Sequence, residues 1–314
     1  MNGQWSYNSN NTGVQASTCT ASGSYSTAMG DGTTASGDYS TSMGRSTAAS
    51  ALYSTAMGRS TAASALYSTA MGYGTDASGY FSTAMGSSTT ASALYSTAMG
   101  DGTIASGSRS TAMGSYTTAS DYASLSIGRY NSVNSTVTAG GSAASFDTDN
   151  AAFVIGNGTG SSTKSDAFVV YFNGNATLSG DLTINSDERL KDNIQPLGST
   201  LNKLHQIEGK TYSFKKDEEH TPKIGVLAQE VQAVFPELVT EGGDGILSVN
   251  YQGLVPVLIN AINEQDAKMS EQDAKMSEQE VKMSEQDAKI AALEEMVRFL
   301  AVQQSQTTSS VAAN

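Results

Sequence analysis

The stretch Ala21–Thr34, ASGSYSTAMGDGTT, is the first of eight copies of a fourteen-residue unit that together run from 21 to 132. The second and third copies read ASGDYSTSMGRSTA and ASALYSTAMGRSTA. In every copy a bulky apolar residue followed by glycine recurs at the same place. These pairs are Met29-Gly30, Met43-Gly44, Met57-Gly58, Met71-Gly72, Met85-Gly86, Met99-Gly100, Met113-Gly114 and Ile127-Gly128. Such regularity indicates that one local structure is repeated along an axis.

The composition of the unit decides between a helix and a strand. Four turns of a helix with about 3.5 residues per turn would also fit this period, but serine, threonine and glycine dominate the unit and disfavour helices. Tyr25, Thr27 and Met29 alternate with smaller residues, which is strand periodicity. Gly30 is expected at a corner, where unusual backbone angles favour glycine. We therefore predict a β-solenoid with one coil per repeat, stacked about 4.8 Å apart into a rod of about 38 Å.

A disordered linker is the alternative for such a polar tract of low complexity. A linker has no need to keep a methionine and an aromatic residue or leucine in strict register. Stacked coils do need this register, because each coil packs its side chains against its neighbours. The register therefore favours the rod.

The unit resembles the head repeats of trimeric autotransporter adhesins, in which a Ser-Val-Ala-Ile-Gly core recurs in a left-handed β-roll. Ser26–Gly30, Ser-Thr-Ala-Met-Gly, stands in the place of that core, with threonine and methionine instead of valine and isoleucine. The resemblance covers 21–132. It implies a homotrimer, and small coils with few charges would need neighbouring chains to complete a core.

The charges are distributed unevenly and argue against several kinds of partner. Of 30 acidic and 17 basic residues, 9 and 5 lie in 1–185, and 21 and 12 in 186–314. A net charge of −13 without a basic run argues against nucleic acid and anionic membrane surfaces. We see no signal peptide and no run of roughly 18 apolar residues, so membrane insertion is not expected. With a lone Cys19 and two distant histidines, we expect neither a metal site nor a cofactor.

A β-rich neck is predicted over 133–185. Apolar runs at 152–155 and 167–172 are bounded by turns rich in glycine and asparagine. Residues 1–20 form a lead-in before the first repeat.

Ser186 and Lys191 lie five residues apart in the segment SDERLKDNI that opens the charged part of the chain. A serine hydroxyl needs a base beside it to act as a nucleophile, and a neutral lysine can be that base. Spacing alone is weak evidence, because a helix cap and a solvated charge give the same pattern. His205 and His220 are further candidates for a base, but solvated or packed roles are favoured for both.

The motif Ser-Asp-x-Arg-Leu-Lys-x-x-Ile after a β-fibre is similar to the start of the C-terminal intramolecular chaperone domain of phage endosialidase tailspikes and other phage tail fibres. The similarity continues through Lys223–Val231, Val234–Val239 and Val249–Leu258, and it spans most of 186–262. In that family the domain trimerises the fibre, assists its folding and then releases itself by cutting before the motif serine.

The resemblance implies a site residue by residue. Ser186 would be the nucleophile, Lys191 its general base and Asn185–Ser186 the scissile bond. Asp187 and Arg189 also match the motif. Arg189 either favours the neutral form of Lys191 as a neighbouring cation or orders the loop, and ordering is favoured. No oxyanion hole is identifiable from the sequence.

A heptad pattern predicts a coiled coil over 263–303, and residues 304–314 are expected to form a disordered tail. The a and d positions are Ile262, Met269, Met276, Met283, Ile290 and Val297, and Gln265, Gln272, Gln279, Gln286, Leu293 and Leu300. The glutamine layers help to fix the register of the paired helices at a cost in stability, and the last apolar layers stabilise the coiled coil. A single amphipathic surface helix is the alternative. The pattern does not fix the number of chains, and three follows from both resemblances.

The fold class predicted is a mainly β N-terminal half, a trimeric β-solenoid, followed by an α+β chaperone domain that ends in a long trimeric coiled-coil helix. The function predicted is that of a trimeric fibre precursor, either a phage tail fibre in the virion or a surface adhesin, folded in the host cytoplasm before assembly. Its chaperone domain would drive trimerisation and release itself once by autoproteolysis. The alternative is a non-catalytic structural or receptor-binding trimeric fibre that keeps its C-terminal trimerisation domain.

A host cell-surface receptor, for instance a glycan, is the expected external partner. The variable positions directly after the repeat glycines are expected to lie on one edge of the rod, where they could contact it. These positions are Asp31, Arg45, Arg59, Tyr73 and Asp101.

Overall fold

The computed structural model describes residues 6–7, 13–16, 18–215 and 220–311, with side chains up to 303. The chain divides into two compact units, Met1–Asn185 and Ser186–Asn314. Each unit has its own core.

The first unit is a β-solenoid in which each repeat contributes one long and one short strand. The long strands are β4 Thr27–Asp31, β6 Thr41–Arg45, β8 Thr55–Arg59, β10 Thr69–Tyr73, β12 Thr83–Ser87, β14 Thr97–Asp101, β16 Thr111–Ser115 and β18 Leu125–Arg129. The short strands are β3 Thr20–Ala21, β5 Thr34–Ala35, β7 Ala48–Ala49, β9 Ala62–Ala63, β11 Asp76–Ala77, β13 Thr90–Ala91, β15 Ile104–Ala105 and β17 Thr118–Ala119. The predicted solenoid of about eight turns is confirmed.

Neighbouring coils pair in parallel and without any shift in register. Met71 lies beside Met85 and Gly72 beside Gly86, and the same pairing holds along the rod. The long strands belong to a 13-stranded sheet, and the short strands form an 8-stranded sheet. The register follows from the sequence, because a slip of one residue would turn every inward side chain outward.

The interior of the rod consists of the smallest side chains in the repeat. Six of the eight repeats bury two alanines, such as Ala28 and Ala35, together with a serine and a threonine such as Ser26 and Thr33. Met29 and its copies are only half-buried and point to the outer face of the long strands. The repeated methionines are therefore aligned with one another on the outside of the rod and not in its core.

The corner of the coil does not fall at Gly30, where the sequence placed it. Strand β4 includes Gly30 and continues to Asp31, while Tyr25 (φ 56°) and Gly32 (φ 61°) take the left-handed conformation at the turns. Gly30 is needed for a different reason. A Cβ on it would lie 1.8 Å from the carbonyl oxygen of Gly44 in the next coil, and its φ is 128°. Close stacking of backbones, rather than a corner, requires this glycine.

The long sheet continues past the last repeat through three further strands. β19 Ala151–Asn157 pairs in parallel with β18, and β20 Asp166–Tyr171 and β21 Ala176–Leu178 follow as antiparallel strands. They contain the apolar runs from which a β-rich neck was predicted. Before the first repeat, β1 Ser6–Tyr7 and β2 Val14–Gln15 extend the same sheet.

The short sheet ends at β17, where two asparagine side chains replace the next strand. The Asn131 amide accepts from the backbone N–H of Thr118 and donates to its carbonyl, both at 2.8 Å. The Asn134 carbonyl oxygen accepts from the N–H groups of Ser120 and Asp121 at 2.7 and 2.6 Å. These contacts satisfy the backbone groups that an open sheet edge leaves free.

The second unit is a small α+β body followed by a long helix. Its elements are the 3-10 helix η1 Glu188–Leu190, α1 Leu201–Leu204, β22 Lys210–Tyr212, β23 Lys223–Gly225, α2 Ala228–Val234, the 3-10 helix η2 Pro236–Leu238, β24 Val239–Glu241, β25 Leu247–Val249 and α3 Leu254–Val311. β22 pairs with β23, and β24 with β25, both antiparallel. Val231, Phe235 and Val257 form the buried centre of this body.

Helix α3 carries the predicted heptads on an exposed surface. Its apolar a and d residues from Met269 to Leu300 are 53–63% exposed. The helix continues beyond 303 to Val311, so its end lies within the segment for which a disordered tail was expected. Residues 312–314 of that tail lie outside the described residues.

Candidate functional site

Ser186 and Lys191 are brought together at the start of the second unit. The Lys191 ammonium donates to the Ser186 hydroxyl oxygen at 2.7 Å. The short helix η1 lies between them, and its end is fixed by a backbone bond from Lys191 N–H to the Glu188 carbonyl at 3.0 Å. This single tight turn thus brings the amine of Lys191 into contact with the hydroxyl of Ser186, five residues earlier in the chain. If the lysine were neutral, its lone pair would face the serine hydroxyl.

Asp187 starts this turn and ties it to Arg189. One carboxylate oxygen of Asp187 accepts from the Arg189 backbone N–H at 2.9 Å and from Nε at 3.0 Å, and the other accepts from a terminal guanidinium nitrogen at 2.6 Å. These hydrogen bonds lower the pKa of the Asp187 carboxyl and raise that of Arg189. Both motif residues that the sequence singled out are therefore engaged with each other.

The site is open to solvent. Asn185, Ser186 and Lys191 are all exposed, and the boundary between the two compact units falls between Asn185 and Ser186. Exposure gives water access to the bond that precedes Ser186.

A second polar cluster joins helix α3 to the segment before α1. The Glu264 carboxylate accepts from Ser199 Oγ at 2.8 Å and from the backbone N–H of Thr200 at 2.5 Å. Asn260 Nδ2 donates to the same carboxylate at 3.0 Å. The backbone N–H of Thr200 and the Ser199 hydroxyl lower the pKa of Glu264. Sequence reasoning missed this cluster, because its partners are more than sixty residues apart.

The five positions proposed for receptor contact all end long strands and are all exposed. Successive copies lie side by side, so that Asp31 pairs with Arg45 at 3.6 Å and the Arg59 guanidinium lies 5.4 Å from the Tyr73 ring centre. The expectation that they share one edge of the rod agrees with this register, and their role in binding stays a prediction.

An aromatic ladder runs along the turns of the rod. It consists of Tyr25, Tyr39, Tyr53, Tyr67, Phe81 and Tyr95. Successive rings are stacked with centres 4.8–5.1 Å apart and planes within 7–20° of each other. Each ring is 42–62% exposed, and Arg109 covers the last one at 5.8 Å. The sequence shows the period of this ladder but not that it lies outside the core.

The described part of the chain contains no group of three or more His, Cys, Asp or Glu side chains arranged to hold a metal ion. His205 and His220 are both exposed. Among the described helices, none combines the length and the apolar character required to cross a lipid bilayer.

Two families match separate parts of this chain. Residues 186–240 match the chaperone of endosialidase, and residues 21–47, 49–75, 77–103 and 105–131 match the YadA head domain repeat (2 copies). The matches agree with both resemblances on which the sequence-based expectations rest. Fold and matches together define a fibre protein with head-type β repeats and a C-terminal chaperone domain.

The curated relatives are phage tail fibre proteins. The chain is 39% identical over 97 residues to the long tail fiber protein Gp37 of Escherichia phage AR1, covering 28% of this chain and 9% of that protein. It is 34% identical over 99 residues to Gp37 of Salmonella phage S16, covering 29% and 13%. A probable tail fiber protein of Escherichia phage Phieco32 is 34% identical over 90 residues, 27% of this chain and 12% of that protein. The matched segments thus represent only about a tenth of each relative.

Proposed function

We propose that three copies of this chain form a fibre of a phage tail, located in the virion, and that 186–314 direct its assembly. The outer face of the long strands presents half-buried columns of threonine and methionine, which suit packing against other chains. Helix α3 presents an exposed apolar seam of the heptad kind. A coiled coil forms from local contacts and can align the chains before the slower long-range pairing of strands.

We further propose that the second unit releases itself at the Asn185–Ser186 bond. The observation that carries this proposal is the 2.7 Å contact between Lys191 Nζ and Ser186 Oγ at the boundary of the two units. Asp187 and Arg189 complete the motif around it. The products are residues 1–185 as the fibre and residues 186–314 as the discarded chaperone.

The reaction has two steps. Neutral Lys191 takes the proton of the Ser186 hydroxyl, and Oγ bonds to the carbonyl carbon of Asn185. The bond from that carbon to the Ser186 nitrogen breaks, and the nitrogen receives the proton from Lys191, which leaves an ester between Asn185 and the serine oxygen. Water then adds to the ester, giving an Asn185 carboxylate and restoring the serine hydroxyl.

A comparison of full-length chains on a denaturing gel tests the release. Wild type is expected to give two fragments, one that ends at Asn185 and one that begins at Ser186. Mass spectrometry of the intact fragments would identify these ends. Ser186→Ala removes the nucleophile and Lys191→Met removes the base, so each is expected to give one band. Ser213→Ala, an exposed serine of the same unit outside the motif, is the control and is expected to be cut like wild type. A single uncut band for wild type would refute the release.

The second candidate function is a fibre that keeps its trimerisation domain and does no chemistry. The exposure of Ser186 and Lys191 favours it, because a reactive pair ordinarily lies in a site that excludes water. The same gel separates the two candidates, since this one predicts identical single bands for wild type and Ser186→Ala.

Host attachment through the exposed edge of the rod is a further part of the proposal. Replacing the five receptor-contact positions together with serine is expected to reduce adsorption to host cells while leaving the assembled fibre intact. Unchanged adsorption would exclude this edge as the attachment surface.

A further inference from the structure

Asn185 supplies the carbonyl group that the proposed cleavage attacks, and its own side chain ends in an amide. The residue is exposed and lies in a stretch, 181–187, that contains neither helix nor strand. Neither its backbone nor its side chain forms a hydrogen bond with another described residue. The side-chain amide of Asn185 is therefore free to turn back onto the carbonyl carbon of its own residue.

Asn173 shows how such freedom is lost in another exposed part of the chain. Its side-chain oxygen accepts from the backbone N–H of Asn175 at 3.0 Å. The next residue, Gly174, donates its backbone N–H to the Tyr171 carbonyl at 3.0 Å. Ring closure by this side chain would have to break the bond to Asn175, whereas Asn185 has no such bond to break.

The ester formed in the first step of the proposed cleavage has an amine beside it. The Ser186 nitrogen, once released from Asn185, stays attached to the same residue as Oγ and can attack the ester again, which restores the peptide bond. An attached and well-placed nucleophile acts at an effective concentration far above that of a free reagent. Water reaches this exposed site but has to compete with the attached amine. A second attached nucleophile competes on better terms.

We propose that the Asn185 side chain captures this ester before water does, which makes Asn185 a catalytic residue of the self-cleavage on which this inference rests. Its Nδ2 bonds to the ester carbonyl carbon and loses one of its two protons to solvent. The bond from that carbon to Ser186 Oγ breaks, and Oγ takes up a proton. Residues 1–185 then end in a five-membered imide ring, and the carboxylate appears only when water later opens this ring.

Lys191 is placed to serve this step as well as the first one. Its Nζ lies 2.7 Å from Ser186 Oγ, so the group that takes the hydroxyl proton can also return a proton to the departing oxygen. The length of the asparagine side chain gives a five-membered ring. A glutamine at 185 would have to close a six-membered ring, and an alanine has no nucleophile to offer.

The test follows the cleavage of full-length chains as they refold from urea, with samples stopped in acid at successive times. Mass spectrometry is expected to show wild-type 1–185 first as a species one water lighter than the Asn185 acid, which then converts into the acid. Asn185→Ala is expected to be cut on the order of tenfold more slowly and to give only the acid. Thr183→Ala changes an exposed residue of the same stretch and is expected to match wild type in rate and in mass. Sedimentation of the refolded chains checks that each variant assembles.

The outcomes separate this inference from the proposed function. If wild type gives the acid from the first cut chains onward, or if Asn185→Ala is cut as fast as wild type, water resolves the ester and the inference is overturned while self-cleavage stands. Asn185→Gln keeps an amide and is expected to be cut more slowly than wild type, so an unchanged rate would also overturn it. A wild-type chain that stays uncut refutes self-cleavage itself, and the inference falls with it.

Discussion

Ser42 provides a hydrogen-bond partner for one of the threonine hydroxyls buried inside the rod. Ser42 stands where six of the eight repeats have alanine, and its hydroxyl lies 2.7 Å from that of Thr47 five residues later. In the coils with alanine at this place the matching threonine hydroxyl is buried and has no hydrogen-bond partner among the described residues. These threonines are Thr33, Thr61, Thr75, Thr89, Thr103 and Thr117. An unpaired buried hydroxyl is unfavourable, so the coil with Ser42 has a local advantage.

Ser42→Ala is therefore expected to lower the stability of the full-length chain by about 1 kcal/mol, because Thr47 loses its partner. The double variant Ser42→Ala with Thr47→Val removes both hydroxyls and is expected to recover most of this loss. Thermal melting at one fixed chain concentration measures both. A double variant less stable than Ser42→Ala would contradict the explanation.

Gly58 tests the close approach of backbones between coils. A Cβ there would lie 2.1 Å from the Gly72 carbonyl oxygen, at a φ of 121°. Gly58→Ala is expected to destabilise the rod by on the order of 4 kcal/mol, since two coils would have to separate. Gly180→Ala, where nothing lies within 4 Å, is the control and is expected to change little. Circular dichroism during urea unfolding compares the two, and equal effects would rule out the steric explanation.

At the scale of elements, the cluster around Glu264 fixes the segment before α1 to helix α3. The folded state lowers the pKa of Glu264 below its usual 4.5, so its contribution to stability is present above that pH. The contribution is lost as the pH falls through the folded value. Glu264→Gln is expected to melt at a lower temperature than wild type at neutral pH, with the difference shrinking in acid.

Melting temperatures across a series of acidic buffers measure this convergence. Glu280→Gln changes an exposed glutamate of the same helix and is the matched control. A Glu264→Gln deficit that stays constant from neutral pH down to acid would contradict a role for the charge.

The helices and strands could be predicted from the periodicity of the sequence. The contacts between residues that lie far apart in the sequence could not. The fourteen-residue period gave the parallel in-register rod, and the heptads gave helix α3. Alternation along Tyr25–Met29 shows two faces but not which one is inside, so the alanine core and the outer aromatic ladder emerged only from the coil geometry. Gly30 was expected at a corner, because the sequence cannot show that the backbone of Gly44 lies against it. The Ser186–Lys191 pair was singled out through the resemblance of its motif to a known family, because its spacing alone is weak evidence, and no such motif marks the Glu264 cluster.

At the scale of the whole molecule, the apolar layers near the end of α3 are the strongest candidates for holding chains together. Leu293 and Leu300 are 60% and 55% exposed in one chain, and burying a leucine contributes about 1.5–3 kcal/mol. In chains that also carry Ser186→Ala and so stay uncut, Leu293→Gln with Leu300→Gln is expected to convert the full-length protein from an oligomer into monomers in sedimentation experiments. Phe299→Gln, outside the a and d positions, is the control. Oligomers that persist in the double variant would argue against the coiled coil as the assembly device.

The aromatic ladder has an optical consequence. Six chromophores stacked about 5 Å apart and nearly parallel couple their electronic transitions, and the handed path of the solenoid makes that coupling chiral. The part of the ultraviolet dichroism that comes from coupling between these rings therefore arises only when consecutive coils are wound in register. Rod formation can accordingly be followed in real time without a label, and separately from the far-ultraviolet helical signal of the second unit.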